Sequence, residues 1–432
     1  MSPLLVGLIC LIIFFILLAF GLPVGACMVF VSLAGLMYLL PAKAAFYNGG
    51  MIAYDTVANY GLAVMPLFLL MAEVVFRTGL SAELYNVASK WLGHYRGGLA
   101  MATVGGCGVM AAVASSSLSC AAPMALVAMP EMKKHNYDPA LAAGSIAAGG
   151  TMGILIPPSG MLIIYGILTE QSIAKLFAGG FIPGFLEGLF YCITIYIICT
   201  INPKAGPRGP KFPVMERIKA FGGSAEVIGV ILFCLGGLFL GWFTPTEAGA
   251  AGAFGALFFS TLRRRLTWAS FKEALLGTMR LTGMLYGVII GAHIFKIFMA
   301  VSQIPQWLAD TVSGLPVPPL VIMGAIIVVY FGLGCFMDAA AMVLLTIPIF
   351  FPIAEVLGFH PIWFGIVLMR VMEIGLITPP LGMIVYTIAQ MSETPVTTVF
   401  KGVLPFVISD AFHVAMLLFF PQVVLWLPSI IA

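Results

Sequence analysis

The chain has 432 residues, of which 61% are hydrophobic and 9% are charged. A soluble domain carries about 25% charged residues, so this composition excludes a soluble globular protein and indicates a polytopic membrane protein. The formal net charge of +3 excludes little by itself, because the placement of Lys and Arg around the spans matters more than their sum.

Apolar runs of about 20 residues, the length that crosses a bilayer as a helix, divide the chain into predicted elements. In chain order, the first half is predicted to contain spans at 4–20, 24–40 and 61–79, an amphipathic arm at 81–96, a re-entrant hairpin at 97–135, a broken helix at 139–168 and a span at 179–202. After a basic, proline-rich loop, the second half continues with spans at 225–242, 245–262 and 278–300, an arm around 303–310, a hairpin at 317–358, a broken helix at 361–390 and a span at 401–428.

Two nine-residue segments, 153–161 and 375–383, carry a Pro-Pro pair inside these apolar runs and share five identical positions at an offset of 222 residues. Each pair removes two backbone donors, so each helix is predicted to open inside the membrane. An open backbone is tolerated there only where the freed carbonyls face protein or a water-filled cavity. Paired interrupted helices in corresponding halves are typical of the binding site of a secondary transporter.

The placement of charge predicts how the halves enter the membrane. If both ends of each hairpin lie on the same side of the membrane, sixteen of the twenty Lys and Arg fall on one face of the membrane. Three fall on the other face (Lys43, Lys175 and Lys296), and Arg370 lies within the membrane. The positive-inside rule makes the rich face cytoplasmic and both termini extracytoplasmic.

The predicted fold is therefore an all-α polytopic membrane protein with an inverted-topology repeat, two re-entrant hairpins and two Pro-Pro-broken helices. We divide it into N-terminal scaffold helices, a first inverted repeat, a cytoplasmic linker with two connecting spans, and a second inverted repeat. The corresponding ranges are 1–60, 61–202, 203–277 and 278–432.

Candidate ion sites lie where each hairpin tip meets a break, since unwound carbonyls, half-helix ends and serine hydroxyls supply the oxygen ligands that Na⁺ needs. The first predicted site comprises Ser115, Ser116, Ser117, Gly149, Thr151, Gly153 and Pro157. The second comprises Gly334, Asp338, Gly375, Thr378 and Pro379. Small residues also allow helices to pack closely in membranes, which is the alternative explanation of the serines.

Charged groups inside the membrane are costly and are functional candidates for that reason. Asp338 is predicted to be an ion ligand, with a buried structural hydrogen bond as the alternative. Arg370 and Glu373 lie one helical turn apart, which favours a mutual ion pair. The alternative for Arg370 is attraction of an anionic substrate, with Ser116 and Ser159 as further predicted substrate contacts.

Motifs of other protein classes are absent from the sequence. It has no nucleotide-binding loop, no G-x-S-x-G and no H-E-x-x-H, and its five His residues have no ligand spacing. The eight Cys residues lie in apolar runs without a C-x-x-C pair, so we expect small buried side chains. We therefore expect neither an enzyme nor an ATP-driven pump, and no metal other than sodium and no organic cofactor. An intramembrane enzyme acting on lipid-linked substrates is the alternative from another class.

These residues resemble a known family. The serine-rich hairpin, the two Pro-Pro-x-Gly-Met breaks and the segment 243–250, Phe-Thr-Pro-Thr-Glu-Ala-Gly-Ala, resemble the large membrane (M, DctM-like) subunit of TRAP transporters over essentially the whole chain. Within that segment, Thr244 and Glu247 also predict a capping box that starts a helix.

The resemblance implies Na⁺-driven, elevator-type import of a carboxylate-bearing acid, such as a C4-dicarboxylate or a sialic or other sugar acid. It implies two partners, a small four-helix (Q, DctQ-like) membrane subunit and a periplasmic substrate-binding protein (P subunit). It also implies a multi-pass protein of the bacterial or archaeal inner membrane, and Na⁺ sites at the two junctions of hairpin and break. The runner-up is a stand-alone Na⁺- or H⁺-coupled anion transporter of related fold.

The two predicted ion sites differ in sequence. At the offset of 222, Ser159 is matched by Leu381 and Ile156 by Thr378, and residues 117–119 of the serine tip are matched by alanines 339–341. We therefore expect unequal ligands and affinities. The chain starts at its own first predicted span, so the small subunit is expected to be a separate chain.

Overall fold

A computed structural model of the protein describes residues 1–114 and 117–431. All regular structure in these residues is helical. The helices of the N-terminal part and first half are α1 Pro3–Ala19, α2 Val24–Leu39, α3 Ala42–Ala58, α4 Val64–Arg77, α5 Leu80–Leu92, α6 Gly98–Ala114, α7 Ser117–Lys134, α8 Pro139–Thr151, α9 Gly160–Thr169 and α10 Ile173–Ile201. A 3-10 turn, Tyr60–Ala63, leads directly into α4.

The second half begins with two helices that connect the repeats. Its helices are α11 Val214–Phe239, α12 Pro245–Leu262, α13 Trp268–Ser302, α14 Ile304–Ser313, α15 Pro319–Gly334, α16 Ala339–Val356, α17 Pro361–Ile377, α18 Met383–Ser392, α19 Val396–Phe419 and α20 Gln422–Ile430. Six helical segments of the described chain are long and apolar enough to cross a membrane: α4 with its 3-10 turn, α10, α11, α13, α16 and α19. Shorter apolar helices, α1 and α2 among them, accompany these six.

The predicted all-α fold is confirmed, and the helix boundaries differ from the predictions where polar residues extend a span. α10 begins at Ile173 and α13 at Trp268, because Ser172 and Thr267 cap their first turns. α3 was not predicted, since its Lys43 and Asp55 interrupt the apolar pattern of a span. Hydropathy detects the part of a helix that crosses lipid, whereas caps and polar turns decide where the helix begins.

The predicted capping box is also confirmed. Glu247 donates its backbone N–H to the Thr244 hydroxyl at 3.3 Å, and its carboxylate accepts the Thr244 backbone N–H at 2.8 Å. Pro245 occupies the first turn of α12, where a missing N–H costs nothing. Local sequence chemistry therefore sets the start of this helix.

The repeat holds element by element at the offset of 222. Helices α5 to α10 correspond to α14 to α19, with boundaries that agree within four residues. The second arms of the hairpins, Ser117–Lys134 and Ala339–Val356, begin and end at equivalent residues. The two hairpins and the two broken helices are therefore the same structural unit used twice, in the inverted-topology arrangement that the charges predicted.

Packing joins the two repeats at their broken helices. α8 packs on both arms of the first hairpin and on α19, while α17 packs on α10, α15, α16 and α19. A Cβ on Gly402 of α19 would lie only 1.9 Å from the Ala140 carbonyl oxygen of α8, so these helices cross in backbone contact. On the other side, α13 packs on α2 and α4, and α4 packs on α12. These four helices, α2, α4, α12 and α13, thus form a second group, the outer helices, beside the hairpins and breaks.

Candidate ion and substrate site

The first break lies between α8 and α9 and spans residues 152–159. The Pro-Pro bonds of both breaks, at 157–158 and 379–380, are cis. The backbone N–H of Gly153 donates to the Gly150 carbonyl at the end of α8 at 3.2 Å. The helix starts again at Ser159, whose hydroxyl accepts the N–H of Leu162 at 3.4 Å. Ser159 has no exposed surface, so its hydroxyl acts here as a buried helix cap.

The first predicted ion site is partly assembled by the structure. A Cβ on Gly149 would lie 2.9 Å from Cys107 Sγ of α6, and one on Gly150 would lie 3.3 Å from the Ser117 carbonyl oxygen of α7. Both arms of the hairpin therefore touch the last turn of α8. The Thr151 hydroxyl points elsewhere, toward Glu187 on α10 at 2.9 Å. The predicted ligands Ser115 and Ser116 lie outside the described residues.

The second predicted site is assembled in the same way. A Cβ on Gly375 would lie 2.6 Å from the Gly334 carbonyl carbon, so the hairpin and the broken helix are in backbone contact at these two glycines. The Cys335 thiol lies 3.5 Å from the Pro379 carbonyl oxygen. The Thr378 hydroxyl donates to the Ile374 carbonyl within its own helix. Gly334, Gly375 and Pro379 are therefore neighbours across the junction.

The two breaks differ in exposure. Pro157 and Pro158 of the first break are buried, whereas Pro379, Pro380 and Leu381 of the second are exposed. The second junction therefore presents its turn to the outside of this chain, and the first is closed in by its neighbours. The expectation that the two sites differ in ligands and affinity stays a prediction.

Asp338 caps the second arm of its hairpin. Its Oδ2 accepts the backbone N–H groups of Ala340 and Ala341 at 3.2 and 3.4 Å, and the residue is half-buried. This is the structural hydrogen bond that was the alternative for Asp338. Capping occupies one carboxylate oxygen, so the role of ion ligand stays a prediction.

The expected ion pair between Arg370 and Glu373 is wrong. Arg370 has no exposed surface, and its guanidinium pairs with Glu187 Oε1 at 2.9 Å and with the Asp410 carboxylate. These partners come from α10 and α19, which flank α17 on two sides. Spacing along the sequence reveals neighbours within a helix, but not carboxylates that other helices bring closer.

Hydrogen bonds extend this cluster into both repeats. Arg370 donates to the Tyr191 hydroxyl at 2.8 Å and to His413 Nδ1 at 3.2 Å. Tyr191 donates in turn to Glu187 Oε1, which also accepts from the Thr151 hydroxyl. Tyr191 and His413 are equivalent positions at the offset of 222. The one guanidinium is thus held by the same position of each repeat.

Sequence reasoning missed this assembly, although its signals were present. Glu187 and Asp410 are acids within apolar runs, which marks them as functional or paired groups. Tyr191 and His413 share the repeat offset with the prolines that revealed the repeat. Applying that offset to every polar residue in a span would have marked Tyr191 and His413 as equivalent positions.

Cavities lie between each hairpin and the outer helices. One of about 160 Å³ is lined by Glu73 of α4, Leu281 of α13, and Ser119 and Pro123 of the first hairpin. Another of about 320 Å³ lies between α13, α14 and the second hairpin and includes Lys296. Each repeat therefore leaves space between its hairpin and the outer helix group.

Comparisons with known proteins agree with this architecture. Residues 11–423 match the family model of the tripartite ATP-independent periplasmic transporter, DctM component. The chain is 34% identical to the C4-dicarboxylate TRAP transporter large permease protein DctM of Pseudomonas aeruginosa, over 87% of this chain and 88% of that protein. It is 31% identical to the sialic acid TRAP transporter large permease protein SiaM of Vibrio cholerae, over 96% of both.

A solved structure also shares the fold. The crystal structure of the Alcanivorax borkumensis YdaH transporter, described as having an unusual topology, superimposes with a TM-score of 0.65 at 16% identity, covering 88% of this chain and 89% of that one. At this identity the likeness concerns the fold alone.

Paired hairpins and broken helices in an all-helical membrane protein define a secondary transporter, not an enzyme. The chain belongs to the DctM family, the large permease component of tripartite ATP-independent periplasmic (TRAP) transporters. It is accordingly a multi-pass protein of the inner membrane.

Proposed function

We propose that this chain is the large membrane subunit of a Na⁺-coupled tripartite transporter that imports a carboxylate-bearing organic acid. A periplasmic binding protein delivers the acid, and a small four-helix subunit supports the chain in the membrane. The family membership and the C4-dicarboxylate and sialic acid names of its relatives support the substrate class. Both named substrates are acids, so the shared chemistry is a carboxylate.

The observation that carries Na⁺ coupling is the contact of each hairpin with a broken helix. Gly334 and Gly375 touch through backbone atoms, and Ser117 lies against the last turn of α8. Such junctions offer carbonyl and hydroxyl oxygens, which suit a hard monovalent cation. The proposed ligands are the residues predicted from the sequence, Ser115 and Ser116 included.

An elevator-type movement is the proposed mechanism. The hairpins and broken helices form one packed group and the long outer helices another, with cavities between them. Interfaces that already contain space can slide at lower cost than a close-packed core. In this scheme the substrate crosses with the hairpin group while the outer helices stay fixed.

The proposed substrate contacts are those predicted from the sequence, Ser116, Ser159 and Arg370. Ser159 and Arg370 have no exposed surface in this conformation, so a direct contact requires the hairpin group to open. If Arg370 contacts the acid, Arg370→Lys keeps its charge but weakens substrate affinity, because only a guanidinium binds a carboxylate through two parallel bonds.

Uptake into proteoliposomes tests the proposal. The chain is reconstituted with the small subunit and the binding protein, and labelled organic acids are offered with and without an inward Na⁺ gradient. Uptake that requires both the gradient and the binding protein is the expected result. Uptake with the gradient alone would instead indicate a stand-alone carrier, and uptake driven equally by a proton gradient would contradict Na⁺ coupling.

A further inference from the structure

Glu373 is a fully buried carboxylate that the predicted sites leave unused. Glu373 has no exposed surface, and among the described residues neither oxygen of its carboxylate makes a hydrogen bond of good geometry. It lies on α17, two residues before Gly375 of the second predicted ion site. The Ser117 hydroxyl of the first hairpin is a polar neighbour of the Glu373 side chain, and it too makes no hydrogen bond of good geometry in the described chain.

The charges around Glu373 do not balance. Arg370 already pairs with two carboxylates, those of Glu187 and Asp410, so Glu373 is a third acid beside one guanidinium. The other ion pairs of the described residues lie elsewhere in the chain. An unpaired carboxylate in a low-dielectric interior costs several kcal/mol, on the order of the stability of a domain. A positive partner from outside the chain would remove that cost.

The repeat shows what is missing around Glu373. Its equivalent in the first repeat is Thr151, whose hydroxyl bonds to Glu187 and Tyr191. The second-repeat equivalents of those two partners are Ser409 and His413. In the described chain, Ser409 Oγ and His413 Nε2 are buried atoms without a hydrogen bond. The Thr151 hydroxyl of the first repeat is thus hydrogen-bonded, whereas the equivalent position of the second repeat and the equivalents of its two partners include a carboxylate, a hydroxyl and a ring nitrogen without a hydrogen bond in the described chain.

We propose that Glu373 and Ser117 are ligands of a bound Na⁺ ion at the junction of the two repeats. This inference deepens the proposed function and rests on its Na⁺ coupling. Glu373 supplies the negative charge that the first predicted site lacks, and it comes from the second repeat, whereas Ser117 comes from the first hairpin. An ion held by both ties the hairpin to α17, so closure of the hairpin depends on the ion.

Sodium-dependent thermal stabilisation of the purified chain tests this assignment. Melting temperatures are measured over a series of NaCl concentrations, with choline chloride keeping the ionic strength constant. Glu373→Gln retains the shape of the side chain and removes its charge. Glu216→Gln is the matched control, because Glu216 is an exposed acid in the first turn of α11.

The expected result is that Glu373→Gln raises the Na⁺ concentration for half-maximal stabilisation by about tenfold or more, as the loss of a metal-supporting group does elsewhere. Without Na⁺, the variant melts at the same temperature as the wild type or higher, since an unpaired buried charge is gone. A purely structural carboxylate would instead lower the melting temperature at every Na⁺ concentration. Ser117→Ala, a small change on the other ligand, is expected to weaken the Na⁺ response in the same direction.

The outcomes separate this inference from the proposed function. If wild type responds to Na⁺ and both variants respond at the same concentrations, the assignment of Glu373 and Ser117 is wrong and Na⁺ coupling stands. If wild type shows no Na⁺ response in melting or uptake, the coupling itself fails. If Glu373→Gln retains the Na⁺ response but loses uptake driven by a pH gradient, the positive partner is a proton and the Na⁺ site is overturned.

Discussion

Arg370 is the residue on which the interior of the hairpin group depends. Its guanidinium satisfies two carboxylates from two different helices, with Tyr191 and His413 completing its contacts. A buried ion cluster gains little over an apolar core, but removal of one member leaves the others uncompensated. Residues in such a cluster are therefore sensitive to single changes and tolerant of matched pairs.

We expect Arg370→Gln to destabilise the protein by about 3–5 kcal/mol, because Glu187 and Asp410 are then buried without a counter-charge. The measurement is the melting temperature of the detergent-solubilised chain together with its yield as a monodisperse species. The double variant Arg370→Gln with Glu187→Gln should recover part of the loss. Equal stability of the single variant and wild type would show that the cluster is not ionised as drawn.

Asp338→Asn separates the two roles of Asp338. Asn caps a helix about as well as Asp, so the start of α16 and the melting temperature should be retained. If the carboxylate is also an ion ligand, Asn raises the Na⁺ concentration needed for half-maximal uptake. An unchanged Na⁺ dependence would leave the cap as the whole function of this acid.

At the scale of elements, the contact between the second hairpin and its broken helix depends on two glycines. Gly334 and Gly375 allow α15 and α17 to meet through backbone atoms. The junction is therefore narrow at these two residues.

A methyl group at this contact should separate the two elements. Gly375→Ala would place a Cβ 2.6 Å from the Gly334 carbonyl carbon, and overpacking of this kind costs about 1–3 kcal/mol. Gly332→Ala, on the same hairpin arm with nothing within 4 Å of its Cβ, is the control. The prediction is lower melting temperature and weaker Na⁺-dependent uptake for Gly375→Ala alone. Equal effects of both variants would contradict it.

At the scale of the whole molecule, the inverted repeat puts equivalent positions on opposite sides of the membrane. Lys134 and Val356 end the second arms of the two hairpins, and both residues are exposed. The charge distribution assigns Lys134 to the cytoplasm and Val356 to the periplasm.

Cysteine labelling in cells checks this assignment. All eight native Cys are free, seven buried and one half-buried, so their background labelling should be low. A membrane-impermeant maleimide should modify Val356→Cys in cells with a permeabilised outer membrane. It should modify Lys134→Cys only after the inner membrane is broken. Labelling of both positions from the same side would contradict the inverted topology.

The amino-acid sequence alone was sufficient for the class, the repeat and most of the helices. Those features depend on hydropathy, on Pro-Pro pairs and on caps such as Thr244, all of which act within a few residues. The helix α3 was not predicted because its polar residues interrupt the apolar run that identifies a membrane span.

The candidate sites could also be predicted only in part from the sequence. The junctions of hairpin and break followed from paired motifs, since a break needs nearby groups to satisfy its carbonyls. The partners of Arg370 did not follow, because Glu187 and Asp410 lie 183 and 40 residues away along the chain and reach it only when α10 and α19 pack on α17. Sequence therefore determined the elements and their repetition, while tertiary packing decided which buried charges meet and which carboxylate, Glu373, stays without a partner in the described chain.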